Sequence, residues 1–296
     1  GNIDLSVGSV VCFVGAVGGV FMEKMGMPMP IAVILMLLLG AVIGAWQAVW
    51  IAYVHVPPFI TTLSGMFVFR GLSNVVLGGQ TLPIKNQAFV VLFGGGANCY
   101  VPDILGGGEG MNRLALVVGV VACVIFVVVT MKGYLNRKKK GYETGNVAAM
   151  YMKMILICAV ILFITYKLAK YKGIPTSLVW VLIVVLIYGY ITSKTTIGRY
   201  FYAVGGNEKA TKLSGINTER VYFLAYTNMG LLSALAGMLT IARLTSAQPT
   251  YGQNYEMDAI GSCFIGGASA YGGTGTVPGV IIGATLMGII NQGMSI

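Results

Sequence analysis

Seven long apolar runs set the terms for this chain: residues 4–21, 31–53, 59–77, 112–131, 149–166, 176–193 and 221–241. A helix needs about 20 apolar residues to cross a hydrocarbon core of about 30 Å. Inside such a core each backbone N–H and C=O must be satisfied within the protein, which leaves helices as the element available to runs of this length. Two further segments, 258–270 and 277–292, are shorter and broken by glycine. The first is too short to cross untilted and reads as a half-helix that dips into the protein, where neighbouring helices or a cavity can satisfy its ends. Only 28 of 296 residues are charged, 9%, where a soluble domain carries about 25%. The expectation is an all-α polytopic membrane protein with eight or nine transmembrane or half-membrane helices, forming one domain over 1–296.

The net charge of +10 is unevenly spread. Eleven of the 19 basic residues fall in 132–153 and 194–220. That is the loop asymmetry of a membrane topology rather than a phosphate-binding face, so nucleic acid is not an expected partner and the lipid bilayer is. The loop 132–148 holds Lys132, Arg137, Lys138, Lys139 and Lys140, and the loop 194–220 holds Lys194, Arg199, Lys209, Lys212 and Arg220. Two spans separate them, so both fall on one side, assigned as cytoplasmic, and the loop 78–111 with its runs Gly94–Gly96 and Gly106–Gly108 falls outside. The connector 167–173 also falls outside although it carries Lys167, Lys170 and Lys172. The chain begins at Gly1 without Met and stops at Ile296 inside an apolar pattern, so the natural protein is expected to continue at both ends.

Small residues four apart recur at Gly15/Gly19, Gly40/Gly44 and Gly279/Gly283, either as close helix contacts or as chance in a chain with 42 glycines. Cys12, Cys123, Cys158 and Cys263 lie in apolar runs and Cys99 in a loop; their odd number and lack of C-x-x-C spacing read as structural thiols. A lone histidine, His55, beside Pro57-Pro58 at a span end, offers no zinc motif and reads as a helix-end residue. Neither a G-x-S-x-G elbow nor an acid pair in an apolar setting is visible, so an enzyme is not expected. No lysine follows a glycine, which removes a Walker A loop. The runs Gly272–Gly275 and Gly205-Gly206-Asn207 follow no strand and make poor phosphate loops.

Between two spans, Asn207 is a good N-cap, Glu208 suits the first turn, and Gly215 can close a short helix over 207–214. Ala210 and Leu213 give it a small apolar face. It is either a docking helix for a soluble partner or an interfacial helix on the headgroups. On the span 59–77, Thr62, Arg70 and Asn74 fall at multiples of four with Ser73 beside them, a polar stripe on one face. Arg70 either lines a solute path, or pairs with Glu256 or Asp258, or snorkels to the interface. The segment 243–258, with Gln248, Gln253, Asn254 and tyrosines, reads either as part of a path for a neutral polar solute or as an external loop.

Several segments resemble one family. Gly1-Asn-Ile-Asp-Leu-Ser-Val-Gly-Ser9 is similar to a signature of monosaccharide ABC-transporter permeases of the ribose, xylose and galactose type. Gly205-Gly-Asn207-Glu-Lys-Ala210 through Ser214-Gly-Ile216 resembles their coupling loop, with Thr211 where alanine is common. Ala242–Pro249, Met257–Ile260, Gly266–Ser269, Gly272–Gly275 and Asn291-Gln-Gly293 continue the match, and Cys263–Val277 looks most like the multiple-sugar permeases serving xylose, galactose or arabinose. The resemblance implies a permease subunit of an ATP-driven monosaccharide importer in the bacterial inner membrane, a dimer of chains with about ten helices each, of which this chain lacks some at its ends. It implies a cytoplasmic ATPase that carries the ATP-Mg, an extracytoplasmic sugar-binding protein, and no cofactor on this chain. It makes Gly205, Gly206, Asn207, Glu208, Ala210 and Gly215 the ATPase-coupling residues. Thr62, Arg70, Asn74, Gln248, Asp258 and Asn291 are the pathway candidates. An ion-coupled secondary sugar transporter is the alternative; it needs carboxylates on the path, and only Asp4 and Asp258 lie near apolar segments.

Overall fold

A computed structural model describes residues 2–96, 99–103, 111–141 and 147–294. Gly1, the run Gly106–Gly108 and part of the basic loop 132–148 lie outside the described residues, and nothing is placed for the Arg137 side chain. Among the described residues there are 12 helices and one two-stranded pair. Seven helices are long and apolar enough to cross a membrane: α2 (Met29–Ala52), α3 (Pro58–Leu77), α5 (Arg113–Lys139, with its apolar stretch at Arg113–Asn136), α6 (Val147–Tyr171), α7 (Thr176–Lys194), α10 (Thr218–Arg243) and α12 (Val277–Met294). Two more are shorter, α1 (Val7–Glu23, 17 residues) and α11 (Tyr255–Ile265, 11 residues). The protein is an all-α polytopic membrane protein. α6 runs on to Tyr171, so most of the expected connector 167–173 is helix.

The chain divides into two units, residues 1–98 with 180–296, and residues 99–179. In the first, α10 packs lengthwise on α2 and against α1, and α1 packs on α3. The α2–α10 seam is built from glycine. A Cβ on Gly40 would sit 2.5 Å from the Gly230 carbonyl oxygen, and one on Gly44 would sit 2.4 Å from the Tyr226 carbonyl oxygen, so the two backbones approach as closely as the expected small-residue pair allows. Gly279 and Gly283 do the same between α12 and α11, where a Cβ would meet the Gly266 and Ser262 carbonyls at 2.1 and 2.0 Å. Around this seam sits the core of Val10, Val14, Met36, Phe69, Met238 and Ile241. Pro57 and Pro58 open α3, where the fixed φ suits the first turn and the missing N–H is not needed. His55 stands just before them at φ 62, in the turn leaving α2.

Four short elements were not expected. α8 (Thr196–Gly206) fills most of what read as loop between α7 and the short helix. α4 (Gln87–Leu92) and the strand β1 (Leu82–Pro83) lie in the segment 78–111; β1 pairs antiparallel with β2 (Ser246–Ala247). The pair joins the ends of α3 and α10, at the end of α10 opposite the short helix α9 (Glu208–Leu213). In the second unit α5 and α6 pack as a hairpin, with Thr165 filling the space over Gly119 and Cys123 Sγ lying 3.7 Å from the Cys158 carbonyl oxygen. α7 buries none of its residues, although it is strongly apolar. The exposed face of a helix this apolar is one that lipid covers. All five cysteines are free thiols.

Candidate functional site

The expected short helix exists, shorter by one residue at each end. Asn207 is its N-cap and accepts from the Ala210 N–H at 3.0 Å. At the other end Gly215 takes φ 84; its N–H donates to the Lys212 carbonyl at 3.1 Å and that of Ile216 to the Thr211 carbonyl at 3.3 Å. Those two bonds form a Schellman motif, which needs a residue free to enter the left-handed region. Two contacts tie α9 to the first turns of α10: Tyr222 Oη donates to Glu208 Oε2 at 3.0 Å, and Lys212 Nζ lies 3.8 Å from Glu219 Oε1. Ala210 is exposed, and Leu213 presents 89% of its surface to solvent.

The two glycine runs that looked loosely like phosphate loops meet each other. A Cβ on Gly205 would lie 2.7 Å from the Gly273 nitrogen, and one on Gly273 would lie 2.7 Å from Gly206 Cα. The end of α8 is thereby set directly on the loop between α11 and α12, with Tyr202 Oη donating to the Gly275 carbonyl at 2.8 Å.

Two cavities open beside this junction. The larger, about 650 Å³, has Asp4, Glu208, Tyr222, Tyr226, Tyr271 and Thr274 in its wall. The smaller, about 210 Å³, is walled by Glu256, Ala259, Cys263, Phe264 and Ser269 among others. Asn2, Asp4 and Met229 line both. Asp4 is held by a tight turn: Ser6 N and Ser6 Oγ both donate to its Oδ1, at 2.8 and 2.6 Å.

Of the six pathway candidates, the fold pairs three: Asp258 and Asn291 with each other, and Arg70 with Glu256. Arg70 Nη2 meets Glu256 Oε1 at 2.7 Å, with side chains 33% and 4% exposed, so Arg70 pairs across to α11 rather than snorkelling. Asn291 Nδ2 donates to Asp258 Oδ2 at 3.1 Å, joining α12 to α11. The other three stand apart. Thr62 is wholly buried and donates within its own helix to the Phe59 carbonyl at 3.4 Å, whereas Asn74 is exposed. Positions spaced by four drift about 40° per step on a helix of 3.6 residues per turn, so Thr62 and Asn74 face in different directions and the expected single stripe fans out. Gln248 is half-buried, and its backbone carbonyl accepts from Cys12 Sγ at 3.5 Å.

Two expectations from sequence need correction. Glu256 is the most buried carboxylate of the described residues at 3% exposure, although it was not counted among the acids near apolar segments. Asp4 and Glu256 also line one cavity, an acid pair that 252 positions of separation concealed. Each acid has one oxygen engaged, Asp4 Oδ1 by Ser6 and Glu256 Oε1 by Arg70.

Membrane-crossing helices with adjoining cavities between them, and a capped helix standing exposed at their end, fit a multi-pass transport protein. A family model described as branched-chain amino acid transport system, permease component, matches residues 1–296, and the chain belongs to that family. It is 36% identical over 295 residues to the xylose transport system permease protein of Haemophilus influenzae, covering 99% of this chain and 75% of that one. It is 34% identical over 294 residues to the xylose permease of Escherichia coli K12, covering 99% and 72%, and 33% identical over 298 residues to that organism's ribose import permease protein, covering 100% and 70%. No solved structure matches the chain.

Proposed function

We propose that the chain is the membrane-spanning subunit of an ATP-driven importer of a monosaccharide of the xylose or ribose kind, in the inner membrane of a bacterium. The similarity to xylose and ribose permeases along nearly the whole chain carries this reading. The chain supplies the path and the switch. Nucleotide binds a separate cytoplasmic ATPase, in keeping with a sequence in which no lysine follows a glycine. A second copy of the permease and an extracytoplasmic sugar-binding protein complete the assembly.

The coupling route follows from α9. A partner that grips Ala210 and Leu213 moves a helix whose first residue, Glu208, is bonded to Tyr222 and whose Lys212 faces Glu219. Both partners lie on α10, and Tyr222 and Glu208 stand in the wall of the larger cavity. Movement of α9 is therefore movement of that wall. ATP binding drives transport to the extent that the ATPase binds one setting of α9 better than the other.

The family's description names branched-chain amino acids, which is the competing solute class. A zwitterion brings a carboxylate that needs a cationic partner, and neither cavity is lined by lysine or arginine. Hydroxyl, amide and aromatic groups in the larger cavity suit a neutral polyol better. The test is co-purification of the full-length permease with its ATPase. Wild type should hold the ATPase and Ala210→Arg should lose it, since the new side chain projects from an exposed position. A folded wild type that binds no ATPase overturns the reading and favours an ion-coupled carrier.

A further inference from the structure

The larger cavity contains hydrogen-bonding capacity that the protein does not use. Tyr226 is 6% exposed; its ring packs with Ala48 and Ile51 of α2, and its hydroxyl has no hydrogen-bond partner among the described residues. Leaving a buried hydroxyl unpaired forfeits its hydration without return, which makes each instance a candidate for a functional role. Asp4, Asn2 and Tyr222 line the same cavity as Tyr226. Asp4 spends Oδ1 on Ser6 twice, while its Oδ2 accepts nothing from the described residues. A buried donor without an acceptor thus shares the wall of one cavity with an acceptor without a donor, around a space of about 650 Å³. That volume lies within the range of small-molecule sites.

The chemistry of the wall selects the occupant. An anion would meet Asp4 and Glu208 with no lysine or arginine to offset them. A simple cation would satisfy Asp4 and leave Tyr226 without an acceptor. A molecule carrying several hydroxyls answers both at once: one hydroxyl donates to Asp4 Oδ2, and another accepts from Tyr226 Oη. The rings of Phe201 and Tyr222 offer apolar faces to its C–H surface.

We propose that this cavity is a holding subsite for a neutral polyhydroxylated solute of pentose size, with Asp4 and Tyr226 as its paired polar contacts. The proposal rests on the importer reading. It goes beyond it by placing the solute at the end of the bundle where α9 is bonded to the wall, so that solute and ATPase act on the same stretch of α10. Two contacts on a path that must release its cargo give weak binding, so the probe sugars are used at high millimolar concentration.

The experiment uses the full-length permease with its ATPase in proteoliposomes. Ala225→Cys and, separately, Thr274→Cys place a thiol in the cavity wall, and a hydrophilic maleimide labels it. Labelling of that one peptide is followed by mass spectrometry, with the native cysteines in place. D-Xylose and D-ribose should slow labelling at both positions, while L-leucine and choline should not. Tyr226→Phe should raise the sugar concentration needed for half-protection about fivefold, the loss of one hydrogen bond of about 1 kcal/mol, with ATPase association unchanged. ATP-driven D-xylose uptake is measured in the same vesicles with the sugar-binding protein supplied. Uptake without protection by either sugar overturns the subsite and leaves the importer standing. Protection by L-leucine or choline in place of the sugars overturns the polyol assignment. Absence of uptake in the presence of ATP overturns the importer reading itself, and the subsite with it.

Discussion

The Arg70–Glu256 pair links α3 to α11 and offers a quantitative test of how the half-helix is held. The oxygen lies 2.7 Å from the guanidinium nitrogen. Unit charges about 4 Å apart at an effective dielectric constant of about 20 attract by about 4 kcal/mol. Two features of the site cut that figure. Arg70 is one-third exposed, so water screens it, and Glu256 carries the cost of its own burial. Glu256 Oε2 has no partner among the described residues, so Arg70 supplies the salt bridge on Oε1 that offsets that cost. Arg70→Met strips Glu256 of its counter-charge and should cost about 3 kcal/mol, the low end for breaking a buried pair. Glu256→Gln leaves Arg70 able to reach water and should cost about 1 kcal/mol. The double variant removes both the charge and its need for a partner. It should be more stable than the sum of the single losses requires, by about 2 kcal/mol. Unfolding of the full-length permease by SDS titration, followed by circular dichroism, gives all three values. Additivity of the two single losses to within about 0.5 kcal/mol would refute the reasoning, because it would mean that the pair does not couple the helices.

Three further outcomes are expected. Gly8→Ala puts a Cβ 2.1 Å from the Gly252 carbonyl oxygen and 2.3 Å from Glu256 Oε2, so α1 and the residues leading into α11 must separate; a loss of about 1–3 kcal/mol should appear in the same SDS titration. Asn207→Ala removes the acceptor for the Ala210 N–H and should destabilise α9 by about 1 kcal/mol, seen as faster amide exchange confined to 208–213. Leu213→Asp touches a side chain that is 89% exposed, so stability should hold while ATPase association falls, which co-purification reads directly.

Sequence alone was sufficient where one stretch of chain decides the outcome. The nine apolar segments all became helices, because length and apolarity in a membrane leave the backbone no other way to satisfy its hydrogen bonds. α9 was legible for the same reason: Asn207 and Gly215 act on their own neighbours. α8 was hidden because Gly198, Gly205 and Gly206 dilute its helical pattern, yet Gly205 is required for its seat on Gly273. β1 and β2 are two residues each, below any periodicity. The cavity walls were the least visible part. Asp4, Tyr226 and Gly272 come from distant parts of the chain, and no local spacing announces that they meet. Glu256 was legible as a candidate partner of Arg70, but its deep burial follows from the seat of α11 against α1, which no single segment encodes.

Transport measured in proteoliposomes addresses the importer reading most directly. Full-length permease and its ATPase are reconstituted with ATP inside or outside the vesicles, with the sugar-binding protein loaded with labelled D-xylose and with or without an uncoupler. ATP-dependent uptake that survives the uncoupler, and that disappears with Ala210→Arg, is the expected result. Uptake that proceeds without the ATPase and collapses with the uncoupler would show a carrier driven by an ion gradient and would contradict the assignment.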